Sequence, residues 1–144
     1  MEEQSFVDIV SSNGYSPIST AICQKNWNMV VELLPKCQPE YAIIDQIYEP
    51  LMEYISEENN NNNMRKLFGM YLSFALMKNP KSTSQHFKLL DRQVSIVELF
   101  ETSWKEVIDL AIKIKYDLEK DRAIIIEEDK KKKKLYFIPK CRVL

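Results

Sequence analysis

Glycine is almost missing from this chain. Only Gly14 and Gly69 occur in 144 residues. Sandwiches and barrels turn often and place glycine at positive φ, so the shortage argues against a many-stranded β fold. Two isolated glycines also cannot build a phosphate-cradling loop. Histidine is rarer still, with His86 alone, and the three cysteines Cys23, Cys37 and Cys141 form no Cys-x-x-Cys pair. Thirteen residues separate Cys23 from Cys37, far from the close ligand spacing that zinc requires. Neither a metal nor a cofactor is expected. A Cys–His catalytic pair would have to join distant residues with no local signature, so catalysis is not expected either.

Long apolar runs are absent too. The longest, Leu67 to Met77, covers 11 residues and already includes Gly69 and Ser73. A membrane span needs roughly 18 to 20. The start, Met1-Glu2-Glu3-Gln4, is acidic and lacks the basic opening and apolar core of a secretory signal. With widely spaced thiols, the expectation is an intracellular protein, cytoplasmic or nuclear, with no membrane partner.

What is present is helical in period. Residues 19–36 read as two short helices parted at Asn26 and Asn28. Tyr41 to Ile47 and Leu51 to Ser56 are candidate helices, the second with Pro50 in its first turn. Asn59 to Asn63 reads as an exposed loop, because asparagine competes for its own backbone hydrogen bonds. Met64 to Lys78 is apolar on most sides and reads as a central buried helix. Phe87 to Phe100 follows as one helix. Ser103 and Glu106 then have capping-box spacing before a helix to about Lys120, with Trp104, Val107, Ile108, Ala111, Ile112 and Leu118 inward. Ala123 to Glu127 and Leu135 to Ile138 suggest a small C-terminal β-hairpin.

Charge divides the chain. Residues 1–129 hold 13 basic against 21 acidic side chains, a net of −8, and residues 130–144 hold seven basic and no acidic ones. The division marks a helical domain over 1–122 and a basic appendage over 123–144. Lys130, Lys131, Lys132, Lys133 and Lys134 suit a nuclear import signal or a phosphate-binding patch. A nucleic-acid reader usually carries basic charge across its folded body, and this body is acidic.

One further pattern concerns residues 13–34, Asn-Gly-Tyr-Ser-Pro-Ile-Ser-Thr-Ala-Ile-Cys-Gln-Lys-Asn-Trp-Asn-Met-Val-Val-Glu-Leu-Leu. Gly14, Ser16, Pro17, Ile18, Ala21, Val30, Leu33 and Leu34 stand in order without a gap. This stretch resembles an ankyrin repeat. A step of 33 residues relates Tyr15 to Tyr48, Pro17 to Pro50, Ile18 to Leu51 and Ile22 to Ile55, and 33 is the period of that family. A degenerate second unit would cover about 48–78, with a fainter third ending at Val97-Glu98-Leu99-Phe100. Lys25 departs from the pattern, standing where a glycine usually parts the two helices, and Tyr54 fills a position that is usually alanine.

The resemblance implies an all-α stack of helical hairpins, an ankyrin-like solenoid, with an irregular helical bundle as the alternative. It also implies a protein partner held by turn tips and first helices. The implied contact residues are Tyr15 and Tyr48 at the tips, and Thr20, Gln24, Glu53 and Glu57 on the inner face. Their polar, partly acidic character suits a neutral to basic partner surface. Two other readings stand beside this one: a nuclear or nucleic-acid-associated adaptor working through the lysines, and a helical-bundle pathogen protein engaging host signalling.

Overall fold

A helix with apolar side chains all round has no face to offer water, so the rest of the chain must enclose it. The computed structural model, which describes residues 6–136, is arranged in that way. Seven helices follow a short 3-10 turn at Phe6–Asp8: α1 (Pro17–Cys23), α2 (Trp27–Leu33), α3 (Ile44–Ser56), α4 (Asn62–Lys78), α5 (Ser84–Gln93), α6 (Ile96–Phe100) and α7 (Trp104–Tyr136). No strand occurs among the described residues, so the class is all-α. Every residue from Leu67 to Leu76 of α4 is buried, enclosed by α3, α5, α6, α7 and the 3-10 turn at Pro39–Tyr41.

Aromatic rings join α2, α3 and α4. Trp27 lies 4.8 Å from Tyr54 and 5.3 Å from Phe68, and Tyr54 meets Phe68 edge-on at 5.0 Å. On the far side Trp104 of α7 packs against Tyr71 and Phe74. Val107, Ala111 and Ile114 bury the inner stripe of α7, with Leu118 partly buried after them. Ile112, expected inward, is 53% exposed, because its place in the helical period falls opposite Ile114 and Leu118.

The asparagine run is more than a loop. Asn60 Nδ2 donates to the Tyr54 carbonyl at 2.9 Å, and Arg65 Nε donates to that of Ile55 at 2.8 Å. These bonds satisfy the open carbonyls that end α3. Asn61 caps α4 by accepting the Met64 N–H at 3.1 Å, and Asn62 and Asn63 form its first turn.

Three expectations need correction. The expected helix over 87–100 divides at Val94, whose extended backbone sends its side chain onto Gly69. A Cβ at Gly69 would come within 3.0 Å of Val94 Cγ1, so glycine permits the approach. No hairpin forms at Ala123–Glu127. Helix α7 passes through that segment to Tyr136 and also crosses the expected 122/123 domain boundary. Residues 123–136 contain no Gly, Pro or Asn to stop a helix. Residues 137 and 138 of the expected second strand lie outside the described residues.

The third correction concerns Pro50, which does not open a helix. It is the seventh residue of α3, and its missing N–H leaves the Gln46 carbonyl without a helical donor. The Cys23 thiol supplies one, with Sγ 3.3 Å from that oxygen. The 33-residue partners are therefore not equivalent. Helices α1 and α2 have seven residues each, whereas α3 has 13 and α4 has 17.

The Phe6–Asp8 turn is held by burial. Asp8 is 2% exposed, and its Oδ2 accepts the Gln38 N–H at 2.9 Å. Burial pushes the Asp8 carboxyl up to about 6, with the Gln38 bond pulling the other way and the charge of Glu40 adding to the rise. The folded state thus holds this proton more tightly than the unfolded chain. Its contribution to stability is fully present below 3.8, the ordinary value, and is lost as pH rises through about 6. Relative to Asp8→Asn, the wild type should gain about 2 kcal/mol of stability between about pH 7.5 and about pH 4.5. Urea unfolding of both proteins at each pH checks this, and parallel pH profiles would refute it.

Ser73, fully buried in α4, has a hydroxyl with no hydrogen-bond partner among the described residues. Ser73→Ala should raise stability by about 1 kcal/mol in the same assay, since it removes a desolvated hydroxyl and adds a better helix former.

Candidate protein-docking site

The α1–α2 hairpin is assembled by short-range bonds that its sequence dictates. Gly14 has φ +85° and closes a tight loop in which its N–H donates to the Ser11 carbonyl at 2.9 Å. Gln46 Nε2 of α3 donates to the Gly14 carbonyl at 2.7 Å, anchoring the loop to the core. Ser16 then caps α1 by accepting the Ser19 N–H at 3.2 Å, and Pro17 takes the first helical position.

Helix α1 ends in a Schellman motif. The Asn26 N–H reaches the Ala21 carbonyl at 2.9 Å, and the Lys25 N–H reaches that of Ile22 at 3.0 Å. The motif needs a left-handed residue, and Lys25 provides it at φ +57°. Here the lysine adopts the conformation that glycine takes most easily. Asn26 goes on to cap α2, its Oδ1 accepting the Met29 N–H at 3.4 Å.

Outside this hairpin lies a groove of ≈ 600 Å³. Ile9, Tyr15, Pro17, Thr20, Met29 and Leu33 help to line it, and none of the described lining residues is charged. Ile9 is 51% exposed, Met29 40% and Tyr15 37%, so three large apolar side chains face water together. Such clustering marks interaction surfaces more than scattered exposure does.

Three of the six expected contact residues, Tyr15, Thr20 and Gln24, share this groove. Glu53 and Glu57 line a separate concavity of ≈ 200 Å³ on the other flank of the Lys25 turn, with Trp27 and Tyr54. Tyr48 joins neither and is not at a turn tip. It sits within α3 at 8% exposure, its ring 4.5 Å from that of His86 and its hydroxyl donating to the His86 carbonyl at 3.4 Å. Because Pro50 lies inside α3, the residue two before it is helical and faces the core. Sequence reasoning missed Ile9, Met29 and Leu33. The signal for Ile9 was an apolar pair, Ile9-Val10, just before a polar loop; Met29 and Leu33 are four apart on the outer face of α2.

The other candidates carry structural duties. His86 Nδ1 accepts the Thr83 N–H at 2.9 Å and so caps α5. Cys37 is buried, its thiol pushed up by desolvation, and Sγ donates to the Leu34 carbonyl at 3.1 Å. No group of potential metal ligands occurs among the described residues. Lys130 to Lys134 fall within α7, but their side chains lie outside the description, as does Cys141. No described helix is long and apolar enough to cross a membrane. No protein family, no curated protein and no solved structure matches the chain.

The left-handed lysine gives a direct test of the hairpin. Lys25→Gly should raise stability by about 0.5 kcal/mol, the relief of the left-handed conformation outweighing the greater freedom of the unfolded glycine. Lys25→Val should lower it by about 1 kcal/mol, because a β-branched residue resists positive φ. Thermal melts of the two variants should therefore move in opposite directions.

Proposed function

We propose that the protein is a non-catalytic protein-binding module, and that the groove outside the α1–α2 hairpin receives a segment of its partner. The observation that carries this reading is Ile9, Tyr15 and Met29 exposed together in a groove whose described lining residues are all uncharged. Burying those side chains against a partner would release water from apolar surface, and tyrosine adds a hydrogen-bonding group at low entropic cost. The ankyrin-like reading is kept for a single hairpin. It draws support from the positive φ at Gly14 and Lys25, the Ser16 cap and Pro17 at the first helical position. A solenoid of equivalent repeats is not part of the proposal.

The experiment is affinity capture from a cell lysate with identification of the bound proteins, using wild type, Tyr15→Ala and Met29→Asp. Both variants should keep the wild-type melting temperature within a few degrees, since these side chains are half in solvent. Each should weaken partner binding by about 2 kcal/mol or more, a loss of about thirtyfold. Unchanged capture would place the interface elsewhere, and loss of folding would show the two residues to be core.

A further inference from the structure

We infer that the ≈ 200 Å³ concavity beside the Lys25 turn is a cation subsite, which accepts the ammonium group of a lysine side chain from a basic segment of the partner. This deepens the protein-binding reading and rests on it.

The lining carries the argument. Trp27 and Tyr54 form aromatic walls, their rings 4.8 Å apart and tilted by 54°. An alkylammonium group that reaches the face of an aromatic ring lining such a cavity is attracted by its π electrons. Glu53 lies in the last turn of α3, Glu57 is the extended residue that directly follows the helix, and both line the cavity. Helix α3 ends at Ser56, so its negative dipole end also lies here.

The one positively charged residue among the described lining already behaves as a ligand would. Lys25 Nζ sits 3.1 Å from Glu53 Oε1, and both side chains are largely exposed. An ammonium group therefore occupies one carboxylate of the site, drawn from the chain itself. An exposed pair of this kind contributes little to stability and is easily exchanged for another ammonium. Glu57 makes no ion pair among the described residues, which leaves the second carboxylate to a ligand. The net charge of −8 over residues 1–129 draws basic segments toward the body, and the cavity gives one lysine a place to lodge.

Position ties the subsite to the groove. The groove includes Gln24 and Asn26, and the cavity includes Lys25 and Trp27, so the two alternate along one turn. A partner segment with an apolar side chain in the groove and a lysine nearby would straddle that turn.

The test uses a pentalysine peptide as probe, titrated by calorimetry and by the NMR shift of the Trp27 indole N–H. Wild type should bind with a clear Trp27 shift. Glu53→Gln together with Glu57→Gln should weaken binding at least about tenfold. Lys25→Asn, which tolerates positive φ, should tighten it about threefold by removing the competing ammonium. Glu98→Gln in α6 with Glu101→Gln just after it removes equal charge from exposed positions elsewhere and should change binding by less than about twofold. An equal loss from the α6 pair, a silent Trp27 signal or weaker binding by Lys25→Asn would each overturn the subsite. The groove variants Tyr15→Ala and Met29→Asp should bind pentalysine as wild type does. Unchanged partner capture by them would count against the groove alone, and loss of the Trp27 response against the subsite alone.

Discussion

Helix α4 cannot exist at a surface, because between Leu67 and Leu76 it offers water no polar face. Its enclosure sets the place of nearly every other element. Desolvating such a helix is favourable only if its neighbours fit closely, and the aromatic cluster of Trp27, Tyr54 and Phe68 supplies that fit on one side. Gly69 is part of the same requirement: without a Cβ it lets Val94 press against the helix, and the chain breaks between α5 and α6 to deliver it. The α1–α2 hairpin reaches this centre through Trp27 and leaves its outer side open.

Much of this was legible in the sequence, and the reasons differ by element. The burial of α4 showed in its all-round apolar pattern, and the two short helices before Pro35 showed in Asn26. The start of α7 showed in Ser103 and Glu106. Local chemistry decides these features, and local chemistry is what a sequence displays. The α5–α6 break was hidden because its cause is Gly69, some 25 residues away. The fate of Pro50 was hidden for a similar reason. Proline usually opens a helix or disrupts one, and no neighbour in sequence reveals that a thiol from α1 will serve the carbonyl it strands.

The candidate site was half legible. Tyr15, Thr20 and Gln24 come together because the hairpin follows its local signals closely, down to a left-handed residue after α1. Glu53 and Glu57 do not join them, and Tyr48 turns inward, because the 33-residue correspondence fails at α3. A periodicity counted in residues assumes that corresponding prolines begin corresponding helices. Once α3 begins at Ile44, six residues before Pro50, Tyr48 falls inside a helix and turns inward where Tyr15 is exposed, although Leu51 and Ile55 stay buried as Ile18 and Ile22 are.

That failure explains why the two concavities differ in chemistry. Had α3 begun at Pro50, Glu53 and Glu57 would have lain along the first-helix face beside Thr20 and Gln24, in one polar strip. Instead they lie at the C-terminal end of α3, beside Trp27 and Tyr54, while the described lining residues of the groove are uncharged. Lys25 stands between the two. Its backbone closes the Schellman turn that shapes the groove, and its side chain neutralises Glu53 in the neighbouring cavity. Glycine would satisfy the first role with less strain but would leave the second empty. Lys25 thus serves both places at once: its backbone forms the left-handed turn, and its exposed ammonium pairs with Glu53.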